Sequence, residues 1–124
     1  MRSDPHPDPV PTDSTIVLKA LVRAAARLDV SNKAVARTIG VSEATVSRMR
    51  KGDYVLDGKP LELAVMFIRL YRSLDAVVGG DDSVAKAWLR NENSMLRNAP
   101  LDLIQTVSGL TDVLQYLDAR RAVV

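Results

Sequence analysis

Residues 31–51 read SNKAVARTIGVSEATVSRMRK, and within them Ala36, Gly40 and Val46 stand at relative spacings of 0, 4 and 10. A small residue lets one short helix pass closely beneath another. Glycine takes the left-handed backbone that a tight turn demands. An apolar residue ten positions on faces back toward the first helix. Val35, Ile39, Val41 and Met49 supply the remaining inward positions. The spacing predicts a helix-turn-helix. Ser31 starts a helix through Ile39 that Gly40 breaks, and Ser42 caps a second helix to Lys51, ended by Gly52.

The rest of the chain follows the same helical period. Ile16, Val17, Ala20, Leu21, Ala24, Ala25 and Leu28 recur at three- and four-residue steps, so a helix capped by Thr12 or Asp13 runs to about Leu28. Gly52 to Lys59 reads as a loop. Pro60 suits the first turn of a fourth helix, which reaches about Val78 before Gly79-Gly80. That helix is apolar almost all round between Leu61 and Leu74, which calls for burial on several sides. The face bearing Leu63, Phe67, Leu70 and Leu74 is therefore expected to meet a second subunit. Asp81, Asp82 and Ser83 begin a fifth helix carrying Trp88 and Leu89. The two acids are expected as helix-start caps in preference to metal ligands. After the polar stretch RNENSMLRNA come two more helices, 100–108 and 110–121, hinged at Gly109. No segment alternates apolar and polar residues, so the fold class is all-α.

Charge sharpens the division. Residues 13–58 hold eight basic and five acidic side chains, whereas residues 59–124 hold eight of each. The excess of cations falls on the helix-turn-helix, as a nucleic-acid surface requires. Residues 1–12, MRSDPHPDPVPT, carry prolines at every second position from Pro5 to Pro11 and read as a flexible tail. This gives three parts: a tail over 1–12, a DNA-binding region over 13–58 and a second helical unit over 59–124. With no cysteine and a lone His6 in the tail, thiolate chemistry is absent and no histidine-based catalytic or metal site is expected. The chain reads as a non-enzyme without cofactor or metal. No apolar run approaches the roughly 20 residues that span a bilayer, and no signal-peptide pattern opens the sequence. The expectation is a soluble, cytoplasmic protein with no membrane partner.

With Val46 and Met49 inward, the opposite face of the second helix presents Glu43, Ala44, Ser47, Arg48 and Lys51 to a major groove. Arg48 has the fork that pairs with guanine, and Ala44 is small enough to meet a thymine methyl. Ser42 and Thr45, at the positive helix start, suit a phosphate oxygen. Lys33, Arg50 and Lys51 add backbone contacts. Glu43 either accepts from cytosine or simply favours the helix N-terminus. The competing reading is a plain helical hairpin with Ser42 as a cap and the arginines as a solvated face.

The run VVGGDDSVAKAWLRNENSMLRNAPLDLIQTVSGLTDVLQYLDA resembles the C-terminal domain of the Xre/MbcA/ParS antitoxins. Ala85, Trp88, Leu89, Asn91, Pro100, Leu101, Asp102, Leu103, Gly109, Val113 and Leu117 carry the match. Where the family often has Leu-Gly-Gly, this chain has Met95-Leu96-Arg97-Asn98. With the helix-turn-helix in front, the resemblance covers roughly residues 14–124. It implies an N-terminal Xre-like helix-turn-helix bundle followed by a C-terminal toxin-binding domain. It further implies a type II antitoxin that blocks a cognate RES-domain, NAD-consuming toxin and represses its own operon on double-stranded operator DNA. Self-association, as a homodimer within a larger complex, is also implied. Interface candidates in the second half are Trp88, Arg90, Asn91 and Asn93, with Arg97, Asn98, Arg120 and Arg121. A Trp in such a place is more often a core anchor than an interface hot spot, though Trp is enriched in both. The alternatives are a free-standing repressor whose second half only dimerises or senses a ligand, and a helical scaffold that never meets DNA.

Overall fold

The computed structural model describes residues 13–123, so the Pro-rich segment with His6 and the Thr12 cap lie outside the described residues. Seven helices follow one another: α1 (Asp13–Arg27), α2 (Asn32–Ile39), α3 (Glu43–Arg50), α4 (Gly58–Val77), α5 (Asp82–Arg90), α6 (Pro100–Leu103) and α7 (Val107–Ala122). Among the described residues there is no strand, and the one β-type pairing is an isolated antiparallel bridge between Asn93 and Asn98. The all-α expectation holds.

Local chemistry sets most of the boundaries. Ser31 Oγ accepts from the Ala34 N–H at 3.1 Å, and Ser42 Oγ accepts from the Thr45 N–H at 3.1 Å. Each satisfies a donor that a helix start leaves unpaired. Gly40 ends α2 at φ 78°, its N–H on the Ala36 carbonyl at 2.8 Å. α1 ends without a glycine: Asp29 takes φ 55°, and the Val30 N–H reaches back to the Ala25 carbonyl at 2.9 Å. That is the six-to-one closure of a left-handed cap, in a residue type that tolerates it. α4 starts two residues before Pro60, which costs nothing because first-turn N–H groups have no helical partner.

α4 is the central post. It packs most extensively against α7, then α1 and α2, and touches α5. Its apolar girth is thereby covered within one chain. Leu63, Phe67, Leu70 and Leu74 are all buried, the last two completely. The face expected to require a second subunit is closed by the chain's own helices, so that argument for a dimer falls. The core runs unbroken from Leu18 on α1 through Ile39, Val46 and Met49 to Leu110 and Leu117 on α7.

The region around Gly109 also differs from expectation. α6 is a single turn, and Gly109 lies in the first turn of α7 instead of at a hinge. Thr106 caps α7, its Oγ1 accepting from the Gly109 N–H at 3.1 Å. A Cβ on Gly109 would stand 1.9 Å from the Leu103 carbonyl oxygen. The glycine is there because α7 starts against the backbone of α6. No helix among the described residues is long and apolar enough to cross a membrane.

Candidate functional site

On α3, Val46 and Met49 are buried, while Glu43, Ala44, Arg48 and Lys51 are exposed. Thr45, Ser47 and Arg50 are half-buried, and Lys33 stands exposed on the first turn of α2. The exposed face forms one connected polar row. Ser42 Oγ lies 2.9 Å from Thr45 Oγ1, which in turn accepts from Arg48 Nη2 at 3.4 Å. The Arg48 guanidinium sits 5.7 Å from the centroid of the Tyr54 ring, within cation–π range. Tyr54, in the loop after α3, is a residue that sequence reasoning missed. Its only signal is an aromatic just beyond a recognition helix. It limits the orientations of Arg48 without consuming its charge.

Arg50 does not join this row. Its Nε donates to Asn32 Oδ1 and its Nη2 to the Val30 carbonyl at 3.1 Å. Its guanidinium, expected among the DNA-backbone contacts, ties the end of α3 to the start of α2.

In the second half, Trp88, Asn93 and Arg120 converge on Tyr116, the other residue that sequence reasoning missed. The Trp88 and Tyr116 rings stack with centroids 6.2 Å apart and planes 18° from parallel. Arg120 Nη1 donates to Tyr116 Oη at 3.0 Å, and its guanidinium carbon is 5.9 Å from the ring centroid. A hydrogen bond from the Asn93 side chain holds the Tyr116 phenol below its ordinary pKa, partial burial opposes this, and Arg120 adds to the lowering. The available signal was Tyr116 four residues before Arg120, one helical turn apart. Trp88 is half-buried, both anchor and surface.

The other candidates divide. Asn93 Oδ1 accepts from the N–H groups of Met95 and Leu96 at 2.9 and 3.1 Å, so it shapes the turn on whose rim Arg97 and Asn98 are exposed. Arg97 adopts φ 71° there. Asn91 is exposed at the end of α5. Arg90 turns away toward the first half, with Nη2 donating to the Asp29 carbonyl at 2.6 Å. Arg121 reaches α4, its Nη1 3.4 Å from Ser73 Oγ, while Ser73 donates to Asp118 at 2.9 Å. Asp81 serves as a cap: its Oδ1 accepts from the Ser83 hydroxyl at 2.7 Å and from the N–H groups of Ser83 and Val84 at 3.0 and 3.2 Å. Asp82 pairs with Arg27 at 3.6 Å.

A helix-turn-helix with an exposed Ser42–Thr45–Arg48 row, joined through a shared central helix to a second helical unit with its own aromatic cluster, is the architecture of a DNA-binding regulator. Residues 11–69 match the antitoxin Xre-like helix-turn-helix domain, and residues 73–122 match the antitoxin Xre/MbcA/ParS C-terminal toxin-binding domain. The chain belongs to the Xre/MbcA/ParS antitoxins, the antitoxin members of toxin–antitoxin systems. Its fold is similar to a chain of the crystal structure of the M. tuberculosis MbcT-MbcA toxin-antitoxin complex. The TM-score is 0.68 at 21% identity, covering 88% of this chain and 96% of that one. No curated protein matches the sequence.

Proposed function

We propose that this antitoxin neutralises a RES-domain, NAD-consuming toxin through residues 59–124 and, through residues 13–58, represses its own operon. It acts as a cytoplasmic binding protein and catalyses nothing. The observation that supports this reading is the placement of two unlike surfaces on one continuous core: the Ser42–Thr45–Arg48 row and the Trp88–Tyr116–Arg120 cluster.

At the operator, Arg48 reads guanine by paired hydrogen bonds and Ala44 meets a thymine methyl. Ser42 and Thr45 lie at the start of α3, where the helix dipole favours phosphate, and Glu43 and Ser47 flank the reading face. Lys33 and Lys51 neutralise backbone phosphates and make binding salt-sensitive. Toward the toxin, Trp88 and Tyr116 form the packed centre, with Asn91, Arg97, Asn98 and Arg120 as a polar rim. A homodimer would present two α3 helices to successive major grooves. Co-expression with the product of the neighbouring gene tests the reading. Growth rescue by this chain and loss of NAD consumption on mixing are expected. A neighbour that is harmless alone, or toxic by another reaction, contradicts it.

A further inference from the structure

Lys19, Arg23 and Arg27 stand four residues apart on α1 and so form one stripe along its solvent side. The stripe borders two depressions. One is a cleft of about 420 Å³ between α1 and α4, lined by all three cations and by Arg72. The other, of about 500 Å³, lies between α1 and the C-terminal end of α3, where Lys19 and Arg23 share the lining with Arg50 and Gly52. Of these four cations only Arg27 has a carboxylate in ion-pair range among the described residues, Asp82 at 3.6 Å. Lys19, Arg23 and Arg72 have none. Like charges one turn apart on a helix repel each other, so the stripe is unfavourable to the isolated fold and becomes favourable only against an anion.

Its position identifies the anion. A recognition helix in the major groove, about 12 Å wide, has a phosphate strand near each end. Ser42 and Lys33 lie at the N-terminal end of α3. At the other end Lys51 is followed by Gly52, and Gly52 adjoins Lys19 and Arg23 across the α1–α3 depression. We infer that the α1 stripe is a second DNA surface, on which Lys19 and Arg23 take the phosphate backbone leaving the C-terminal end of α3. Phosphate contacts of this kind add affinity without sequence preference. The inference rests on the DNA-binding reading of α3, so its test carries a control for that reading.

The probes are a 30-base-pair duplex from immediately upstream of the reading frame and a random duplex of equal length, titrated by fluorescence anisotropy from 50 to 200 mM salt. The variant is Lys19→Gln/Arg23→Gln, glutamine being a good helix former. Two lost phosphate contacts lower the salt slope by about 1.8, so wild type loses about tenfold more affinity than the variant across this range. The expected loss at low salt is the same on both duplexes. The charge-keeping swap Lys19→Arg/Arg23→Lys retains the slope. An unchanged slope in the glutamine variant, with Arg48→Ala still losing its preference for the upstream duplex, overturns this inference alone. If Arg48→Ala also leaves binding unchanged, the reading of α3 fails and the inference with it. A glutamine variant that keeps its DNA slope but no longer captures the toxin assigns the stripe to protein and equally overturns the inference.

Discussion

Arg50 of α3 and Arg90 of α5 donate to the carbonyls of consecutive residues, Val30 at 3.1 Å and Asp29 at 2.6 Å. The two arginines come from opposite halves of the chain and meet on the turn between α1 and α2. That turn holds a left-handed non-glycine residue, Asp29. Its carbonyls are thus fixed from the recognition helix on one side and from the toxin-binding half on the other.

The half-buried bracket makes Arg50 a stability residue. Hydrogen bonds from a charged group contribute about 1.5–3 kcal/mol, and Arg50→Ala should lower the unfolding free energy toward the lower end of that range in urea melts, because the bonds are only part-buried. Arg50→Lys should recover only part of it, because an ammonium cannot present the fork that reaches Asn32 and Val30 together. An Arg50→Ala protein that melts like wild type but binds DNA weakly would restore Arg50 to the phosphate contacts.

Gly109→Ala should be among the most damaging small substitutions. The added methyl would meet the Leu103 carbonyl oxygen at 1.9 Å, a backbone atom that cannot swing aside as a flexible side chain can. A loss of about 3 kcal/mol or more is expected in thermal or denaturant melts, with toxin capture falling alongside it. A neutral Gly109→Ala would show that α7 can start elsewhere.

Much of this was legible in the chain. Ser31, Ser42 and Asp81 are read correctly as caps because a cap is a local event, decided by a side chain and the next two or three N–H groups. Ala36, Gly40 and Val46 mark the helix-turn-helix because its two short helices are neighbours in sequence, so spacing decides which residues face each other. Gly109 is misread as a hinge because a close approach between backbones leaves no mark on the sequence beyond the glycine itself. The dimer argument from Leu63, Phe67, Leu70 and Leu74 fails because an all-round apolar helix does not say whose helices cover it; here they are the chain's own. Tyr54, Tyr116 and the engagement of Arg50 depend on partners 6, 28 and 18 residues distant, which spacing alone does not reveal.

The Asp81 cap should show itself in acid. The Ser83 hydroxyl, then the Val84 and Ser83 N–H groups, hold its carboxyl below the ordinary aspartate value. A depressed acid stabilises the fold above its unfolded pKa of about 3.9, and that contribution fades as pH falls through the lower folded value. Asp81→Asn keeps an acceptor but cannot titrate. The difference in urea midpoint between wild type and Asp81→Asn should be constant from pH 7 to pH 5 and shrink below pH 4. A difference that stays constant to pH 2 would contradict the cap's ionic character.

Arg48 should govern sequence preference. Arg48→Ala is expected to remove about 1–3 kcal/mol of discrimination at one base pair, whereas Lys51→Ala weakens all duplexes alike. Tyr54→Leu should reduce the preference by a smaller amount, since the ring restricts the guanidinium without replacing its hydrogen bonds. Anisotropy against single-base variants of the upstream duplex distinguishes the three.

The separateness of the two surfaces is the central claim, and paired loss-of-function variants in one co-expression experiment test it most directly. Arg48→Ala/Lys51→Ala should derepress a reporter driven by the protein's own promoter, yet capture the neighbouring toxin and rescue growth as wild type does. Trp88→Ala/Arg120→Ala should lose toxin capture and rescue, while the purified antitoxin alone still binds the promoter duplex. With both variants shown folded by their melts, loss of rescue by the α3 variant, or undiminished rescue by the Trp88 variant, would contradict the account.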